Sequence, residues 1–289
     1  MLHRLEWRLL SFTMSVSFAM YNQPALLPLW QAWWQGVVPY LKAAGIEQIP
    51  SQLCWPDDYM AHWRQPELLL SQICSLPLVD HLQGQVQYVA SPMFSTSMQN
   101  GSNYCSLLMV REGSDIHRLK DLKNARVAIN DRDSQSGYGI LNHSFMQTGL
   151  LLEDMVAGYA QSGAHVQSLT WLQQGKVDLA AIDCISYHFI AKHQPHLLEG
   201  LRSLGKTAYT QGHAWVTSIA TSAITISQLR HGLRNAMAAP ELAAIQLELG
   251  LTGMEVVHDS GLTPTATMQK STQSAGYDIR SRPEFTKPF

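Results

Sequence analysis

The sequence carries little charge and no strong excess of either sign. Charged residues make up 15% of the 289 residues, and 20 lysines and arginines nearly balance 22 aspartates and glutamates, which gives a formal net charge of -2. The basic residues are scattered, whereas nucleic-acid-binding proteins concentrate them into a patch or stripe. We therefore expect no nucleic-acid partner. A chain of this length is expected to form two domains, each with its own core.

Long apolar runs are also missing: no stretch reaches the roughly 18 apolar residues that a membrane span requires. We expect a protein that is not membrane-spanning. The basic start and the mildly apolar stretch from Leu9 to Met20 resemble a secretory signal, with Ala19 at a suitable cleavage position. Residues 15–21 also have the pattern of a first strand, and Met14 could be the true start. Residues 1–14 are thus an extension or signal-like segment; a cleaved signal predicts a periplasmic protein and a start at Met14 a cytoplasmic one.

The cysteines are too far apart to form a recognisable metal or redox motif. The sequence has no C-x-x-C pair, and no histidine follows a cysteine at zinc-finger spacing. We expect free, mostly buried thiols, and one disulfide would be compatible with an oxidising compartment. His188, His193 and His196 do not share one helical face, and Pro195 interrupts them. No metal or other cofactor is expected. The cysteines are Cys54, Cys74, Cys105 and Cys184.

What the sequence does contain is an alternation of strand-like and helix-like segments. Apolar residues from Leu26 to Leu41 follow helical spacing, and the three tryptophans among them are predicted to lie in the core. Further helices are predicted from Tyr138 to Gln147 and from Val166 to Leu172. Alternating strands and helices are typical of βα units and of a largely parallel sheet. The predicted strands are residues 15–21, 67–72, 86–91, 103–112, 126–130 and 177–183.

The last third of the chain is less regular. Residues 201–218 are strand-like with a turn at Gly212, and amphipathic helices are predicted around residues 227–238 and 240–249. Beyond about Gly261 the sequence is polar and has no apolar periodicity. We expect residues 263–289 to form a disordered or loosely docked tail.

The polar run NDRDSQSGY, residues 130–138, lies between a predicted strand and a predicted helix. Unpaired N–H groups and the helix dipole favour a negative group there, Ser134 and Ser136 add donors, and Gly137 permits a close approach. A serine N-cap followed by a glycine-assisted turn explains the same residues without a ligand. Neither serine has the leading glycine of a nucleophile elbow, and the G-K-[ST] of a phosphate-binding P-loop is absent.

Other candidate residues stand at strand and helix ends. Asp183 closes a predicted strand, at the edge where open α/β sheets bind ligands, and could either face a protonated ligand or cap the next helix. His165 precedes a helix and could donate to an anion or act as a cap. Cys74 could serve as a thiol nucleophile, but no local signature supports that role.

Four stretches together resemble one protein family. They are SFAMYNQP (17–24), AHWRQPELLLSQICSLPL (61–78), NDRDSQSGY, and AHVQSLTWLQQGKVDLAAIDCISYHF (164–189). The likeness covers roughly residues 15–260. The family is the phosphonate-type periplasmic substrate-binding proteins of ABC transporters, in a poorly characterised branch that carries SQxCxxPL and NDxxSQSGY.

This resemblance implies an α/β, type II periplasmic-binding fold: mixed sheets flanked by helices, in two lobes joined by crossing strands, with the ligand in the cleft between them. Lobe one would comprise residues 15–110 and 206–262, and lobe two residues 111–205. The implied function is capture of a small phosphonate- or phosphate-like oxyanion for uptake by a transporter permease, by a monomer that is not an enzyme. A sensor of the same fold without a transporter, and a hydrolase or transferase using Cys74 or Ser136, are the alternatives.

The resemblance also implies a set of ligand-binding residues. The anion would bind at the helix N-terminus, with Tyr104, His165 and Asp183 around it and three further residues from lobe one. Arg132 is nearby but is not required, so binding would depend on neutral donors. An ionised Asp183 would repel a dianion, and we therefore expect a singly protonated oxyanion that donates its proton to this carboxylate. The anion-binding residues would be Ser134, Gln135, Ser136, Gly137 and Tyr138, and those from lobe one Tyr21, Gln72 and Cys74.

Overall fold

The structure, a computed structural model, describes residues 14–96, 98–257 and 263–285. The signal-like segment predicted at the N-terminus therefore lies outside the described residues, except for Met14. The described residues contain twelve strands: β1 (Ser15–Ser17), β2 (Leu68–Ile73), β3 (Val86–Phe94), β4 (Asn103–Tyr104), β5 (Ser106–Arg111), β6 (Ala125–Ile129), β7 (Val156–Gln161), β8 (Leu179–Asp183), β9 (Leu201–Lys206), β10 (Thr210–Gln211), β11 (Ala214–Ser218) and β12 (Leu251–Glu255).

The α-helices vary from one turn to nearly five turns. A π-helical turn, Gln135–Gly139, precedes the fourth of them. None of the helices in the described ranges is long and apolar enough to cross a membrane. The helices are α1 (Leu27–Ala43), α2 (Tyr59–Trp63), α3 (Ser75–Asp80), α4 (Ile140–Met146), α5 (Leu152–Met155), α6 (His165–Gln173), α7 (Cys184–His193), α8 (Ala223–Met237), α9 (Ala243–Glu248) and α10 (Thr263–Ser274).

The first lobe is built on a five-stranded sheet of order β1-β2-β11-β3-β12. β1 runs parallel to β2, whereas β11 is antiparallel to β2 and β3, and β12 is antiparallel to β3. The predicted tryptophan core is confirmed, because Trp30, Trp33 and Trp34 of α1 are fully buried. They pack around Phe18, whose ring also contacts Trp215 of β11. This aromatic cluster fixes α1 on the sheet and places the turn after β1 at the edge of the cleft.

The second lobe is built on a five-stranded sheet of order β7-β6-β8-β5-β9. β6 is parallel to both β7 and β8, and β5 is antiparallel to β8 and β9. Since β6 and β8 are parallel neighbours, the loop after Ile129 and the carboxylate of Asp183 meet at one edge of this sheet. The predicted position of Asp183 at the carboxyl end of its strand is confirmed.

The chain crosses between the lobes twice, at a two-stranded ribbon in which Thr210 of β10 pairs with Tyr104 of β4. β5 and β9 both belong to the second sheet. The crossing therefore precedes β5, a few residues before the boundary at residue 110 that the sequence suggested. Gly212 is required at the ribbon, since an added Cβ would lie 2.3 Å from the carbonyl oxygen of Ser102.

The C-terminal segment differs from the disordered tail that the sequence suggested. Residues 263–274 form α10, Ile279 is fully buried in the core of the second lobe, and Tyr159 of β7 forms a β-bridge with Glu284. The buried positions of α10 are polar, namely Thr265, Gln269 and Thr272. A helix that buries polar side chains lacks the apolar stripe that marks amphipathic helices in a sequence.

Candidate functional site

A cavity of about 540 Å³ lies between the lobes, at the carboxyl ends of β6 and β8. The first lobe contributes residues from the turn after β1, from the loop before α2, and from the start of α3. The second lobe contributes the loop after β6 and the first residues of α6. Six of the residues predicted to bind ligand line this one cavity: Tyr21, Cys74, Ser134, Ser136, His165 and Asp183.

The two serines and His165 form a chain of hydrogen bonds on the floor of the cavity. Ser134 caps the π-helical turn, because its Oγ accepts the N–H of Gly137 at 3.1 Å. Its Oγ is 3.3 Å from Ser136 Oγ, which in turn is 3.0 Å from His165 Nε2. The Ser134 cap bond uses an acceptor lone pair and leaves the hydroxyl hydrogen available. The serine cap and the anion-binding interpretation of this loop are therefore compatible.

Gly137 is needed in this loop for a reason other than direct contact with a ligand. A Cβ at this position would lie 1.7 Å from Oδ1 of Asn130, and Gly137 does not line the cavity. The close approach that the glycine permits is between two parts of the same loop. It holds the side chain of Asn130 at the cavity wall, where this side chain is one of the lining groups.

Asp183 is both a helix cap and a cavity residue. Its carboxylate accepts the N–H groups of Ile185 at 2.7 Å and Ser186 at 3.2 Å, and the hydroxyl of Ser186 at 2.5 Å. Burial raises the pKa of Asp183 to about 6, although these donors lower it. Near neutral pH a small change in surroundings is therefore sufficient to add or remove its proton. The two roles that the sequence left open for this residue occur together.

Two buried histidines contribute neutral groups to the cavity. Burial lowers the pKa of His165 to about 4 and that of His213 to about 3, so both imidazoles are uncharged at pH 7. Nδ1 of His213 is 2.8 Å from the hydroxyl of Tyr21. The Tyr21 ring also packs edge-on against Phe189 of the second lobe, with centroids 5.6 Å apart. Sequence reasoning missed His213, which directly follows the glycine turn of the crossing ribbon.

Cys74 connects the two sides of the cleft. It stands at the start of α3 in the first lobe, and its sulfur accepts the N–H of Gln135 in the second lobe at 3.3 Å. Burial raises the pKa of the Cys74 thiol, so the thiol is protonated at neutral pH. All four cysteines are free thiols, and Cys74, Cys105 and Cys184 are buried, as predicted.

Five of the predicted ligand-binding residues do not line the cavity: Gln72, Tyr104, Gln135, Gly137 and Tyr138. The amide of Gln135 donates to Met268 Sδ at 3.4 Å, and the hydroxyl of Tyr138 donates to Asp278 Oδ1 at 2.7 Å, so both side chains face the C-terminal segment. Tyr104 and Gln72 are each 1% exposed. The hydroxyl of Tyr104 faces Ser136 and Cys74, whereas both polar side-chain atoms of Gln72 have no hydrogen-bond partner among the described residues. Tyr104 therefore lies directly behind the lining residues Ser136 and Cys74.

The charge around the cavity is negative. Asp57, Asp58, Asp131 and Asp133 line it together with Asp183, and no lysine or arginine is among its lining residues in the described part of the chain. Arg132 turns away, to Glu284 and to the hydroxyl of Tyr159. This placement agrees with the expectation that binding does not depend on Arg132. The four outer aspartates come from two loops, and none was among the predicted ligand-binding residues, although Asp131 and Asp133 lie within the run NDRDSQSGY.

Metal binding finds no support in the described ranges, where no group of three or more His, Cys, Asp or Glu side chains could hold an ion. His188 and His193 lie on α7, and His196 lies in the short turn that follows it. Besides the four outer aspartates, the cavity presents hydroxyls, neutral imidazoles and the carboxylate of Asp183, which is close to its titration midpoint. Such a set of groups can bind a small oxyanion through hydrogen bonds and can accept one proton from it.

The sequence matches one family model, and the structure resembles solved proteins of the same kind. Residues 70–262 match the family described as ABC transporter, phosphonate, periplasmic substrate-binding protein. No curated protein sequence matches the chain significantly. A binding protein component of an ABC phosphonate transporter from Pseudomonas aeruginosa superposes with a TM-score of 0.74 at 16% identity, covering 91% of this chain and 87% of that one.

Two further solved structures show the same architecture with different ligands. PhnD1 from Prochlorococcus marinus in complex with methylphosphonate gives a TM-score of 0.71 at 16% identity, covering 90% of this chain and 98% of that one. XAC2383 from Xanthomonas citri bound to ATP gives 0.69 at 16% identity, covering 93% and 99%. At these identities the likeness shows the fold, and it confirms the predicted two-lobe periplasmic-binding fold.

Proposed function

The chain belongs to the phosphonate family of ABC-transporter periplasmic substrate-binding proteins, and on that premise we propose that its cleft captures a small, singly protonated phosphonate- or phosphate-like oxyanion. The proposal includes delivery of this ligand to a transporter permease and residence in the periplasm. Rotation about the crossing ribbon would close the lobes over the ligand, as in other hinged two-lobe proteins.

The observation that carries the proposal is the pairing of neutral donors with one titrating carboxylate in a single cavity. The hydroxyls of Ser134 and Ser136 are within 3.3 Å of each other, and His165 supports Ser136 at 3.0 Å. If Nε2 of His165 carries the proton, it donates to Ser136, whose own hydrogen is then directed to the ligand. Micromolar affinity requires about 8 kcal/mol, and each hydrogen bond to a charged group contributes roughly 1.5–3 kcal/mol. Four or five such donors are sufficient before ordering costs.

Asp183 supplies the basis for discrimination among oxyanions. A phosphonate monoanion can donate its remaining proton to the carboxylate, whereas sulfate carries no proton at neutral pH and would be repelled by an ionised Asp183. The cavity offers no lysine or arginine to offset that repulsion. The expected order of affinity at pH 7.5 therefore places methylphosphonate, phosphate and phosphite above sulfate.

A thermal-shift and calorimetric screen tests the proposal. The ligands are methylphosphonate, longer alkylphosphonates, phosphate, phosphite, sulfate and small carboxylates. A ligand present at 100 times its dissociation constant should add about 2.7 kcal/mol to the free energy of unfolding. The absence of a shift with every oxyanion would refute oxyanion binding, and equal affinity for sulfate and methylphosphonate would refute the role of Asp183.

One observation favours a second candidate, a serine hydrolase. Ser136 Oγ lies 3.0 Å from His165 Nε2, which is the contact that a nucleophile and its base require. However, no carboxylate among the described residues orients the imidazole of His165, and the group beside it is the backbone of Ala181. The thiol of Cys74 is buried and contacts a backbone N–H, not a base. Turnover of p-nitrophenyl esters that is lost in Ser136→Ala would establish the hydrolase; we expect no turnover above buffer.

A further inference from the structure

The anion-binding loop, residues 130–138, is held from outside by the C-terminal segment. Three of its side chains face away from the cavity, and each contacts a residue of this segment. Arg132 pairs with Glu284, the amide of Gln135 reaches Met268 Sδ, and the hydroxyl of Tyr138 donates to Asp278. The family match ends at residue 262, so all of these partners lie beyond the part of the chain that matches the family.

The later part of the segment, residues 277–285, is anchored firmly in the second lobe. Ile279 is fully buried in its core, and the N–H of Ile279 donates to Asn142 Oδ1 at 3.0 Å. Backbone hydrogen bonds join Tyr159 to Pro283 at 3.0 Å and Phe285 to Tyr159 at 2.7 Å, which extends the edge of the second sheet. An apolar anchor together with strand-like pairing makes this end a permanent part of the second lobe.

The earlier part, α10, lies between the two lobes, and Met268 of α10 and Val79 of α3 both pack against the apolar cluster that contains Leu76 of α3. Gln269, which is 6% exposed, donates to Asp80 Oδ2 at the end of α3 at 3.2 Å. Beside this contact, a cavity of about 370 Å³ separates Ala266 and Thr267 of α10 from Leu78, Leu82 and Tyr88 of the first lobe. One hydrogen bond and partly buried apolar contacts beside an open groove cost less to separate than a fully close-packed apolar interface.

We propose that residues 263–285 form a strap that is fixed to the second lobe and docks reversibly on α3 of the first lobe, positioning the anion-binding loop and favouring the closed cleft. The same α3 supplies Cys74, which accepts the N–H of Gln135. Docking of α10 therefore holds α3 of the first lobe against the anion-binding loop of the second lobe. Separation of these two elements would open the cleft. This inference rests on the proposed function only for its effect on ligand affinity, because the effect on lobe closure needs no ligand.

The test weakens the contact between α10 and the first lobe while retaining the fold. Gln269→Glu places a carboxylate against Asp80, where two like charges repel. We expect the ligand-free protein to have a larger radius of gyration in small-angle X-ray scattering. Affinity for methylphosphonate should fall roughly threefold to tenfold, because apparent affinity scales with the fraction of competent molecules. The matched control is Ser271→Glu, which adds the same charge on the exposed face of α10 and should change neither value.

A second variant should strengthen the contact between α10 and the first lobe. It tests the proposal even if Gln269→Glu does not fold. Ala266→Leu fills part of the cavity between α10 and the first lobe, and should give a smaller ligand-free radius of gyration and tighter methylphosphonate binding. Unchanged scattering in both variants would overturn the strap. Altered scattering with no methylphosphonate binding in the wild type would instead count against the proposed function and leave the strap standing.

Discussion

The two faces of the anion-binding loop are built on different principles. The inner face presents Ser134 and Ser136 to a cavity that also holds neutral imidazoles and a buried carboxylate. The outer face directs Gln135 and Tyr138 to partners in the C-terminal segment, where their polar groups are satisfied within the protein. The inner face is thus left with hydrogen-bond donors available for a ligand. The polar groups of the outer face form their hydrogen bonds within the protein and need no ligand.

The two faces should therefore contribute to different properties. The inner face should contribute to ligand binding, and the outer face to the stability of the protein. Burying an ionisable group without a matched partner costs stability unless a ligand compensates it. Substitutions on the inner face should therefore change affinity and pH dependence, and substitutions on the outer face should mainly change the stability of the ligand-free protein. Four substitutions test this division.

Asp183→Asn should give the largest effect on the inner side. The pKa of Asp183 is about 6 in the folded protein against 3.8 as the reference value, a difference that corresponds to about 3 kcal/mol. Because the pKa of Asp183 is raised in the folded protein, the protonated carboxyl contributes to stability below about pH 4. This contribution is lost as the pH rises through about 6. The stability of Asp183→Asn relative to wild type should therefore increase by about 2.5 kcal/mol between pH 4 and pH 7.5 in denaturant titrations.

Asp183→Asn also alters the N-terminal cap of α7. The resulting change in stability is similar at both pH values, so it cancels when the stability differences measured at the two pH values are subtracted. In the same variant, the preference for methylphosphonate over sulfate should disappear. A stability difference that does not change with pH would show that Asp183 titrates normally. Unchanged affinity for every oxyanion would remove it from the ligand site.

Ser136→Ala should weaken methylphosphonate binding by about tenfold to hundredfold, since one hydrogen bond to a charged group contributes roughly 1.5–3 kcal/mol. Isothermal titration calorimetry measures the change. Ser144→Ala is the matched control, because its hydroxyl donates to the carbonyl of Ile140 within α4, away from the cavity. Equal losses of affinity in the two variants would place Ser136 outside the site.

Gly137→Ala tests the geometry that joins the two faces. Its Cβ would lie 1.7 Å from Asn130 Oδ1, and we expect a loss of about 1–3 kcal/mol in the free energy of unfolding from overpacking. Adding Asn130→Ala should restore most of that loss. Gly113→Ala is the control, because an added Cβ there has no heavy atom within 4 Å. If the double variant is no more stable than Gly137→Ala, the contact with Asn130 is not the cause.

Part of the inner face could be predicted from local signals in the sequence, and the residues from the other lobe were predicted only from the resemblance to a known family. Strand ends are visible as apolar runs that finish on Asn130 and Asp183, and parallel neighbours bring such ends together. Six of the predicted residues, including Tyr21 and Cys74 from the other lobe, line one cavity. Their contact with a ligand remains a prediction.

The outer face could not be predicted, because it depends on contacts between distant parts of the chain. Gln135 and Tyr138 belong to the same motif as the two serines, and only the π-helical turn directs them to the other side. Their partners lie in a segment whose buried helix face is polar, so no apolar periodicity marked it as folded. His213, Asp57 and Asp58 were missed for the same reason, because loop residues acquire a role only when the topology brings them together.

Tyr138→Phe should give the smallest effect of the four substitutions. It should lower stability slightly and leave ligand affinity almost unchanged. The variant keeps the ring, over which Arg280 lies at 4.7 Å from the centroid, and removes only the hydroxyl that donates to Asp278 at 2.7 Å. We expect a loss of about 1 kcal/mol in the free energy of unfolding, typical of one hydrogen bond, and less than about a threefold change in affinity for methylphosphonate. Tyr209→Phe, at an exposed tyrosine, is the control and should change neither. An affinity loss as large as that of Ser136→Ala, without a loss of stability, would mean that the hydroxyl of Tyr138 reaches the ligand and that the two faces of the loop are not separate.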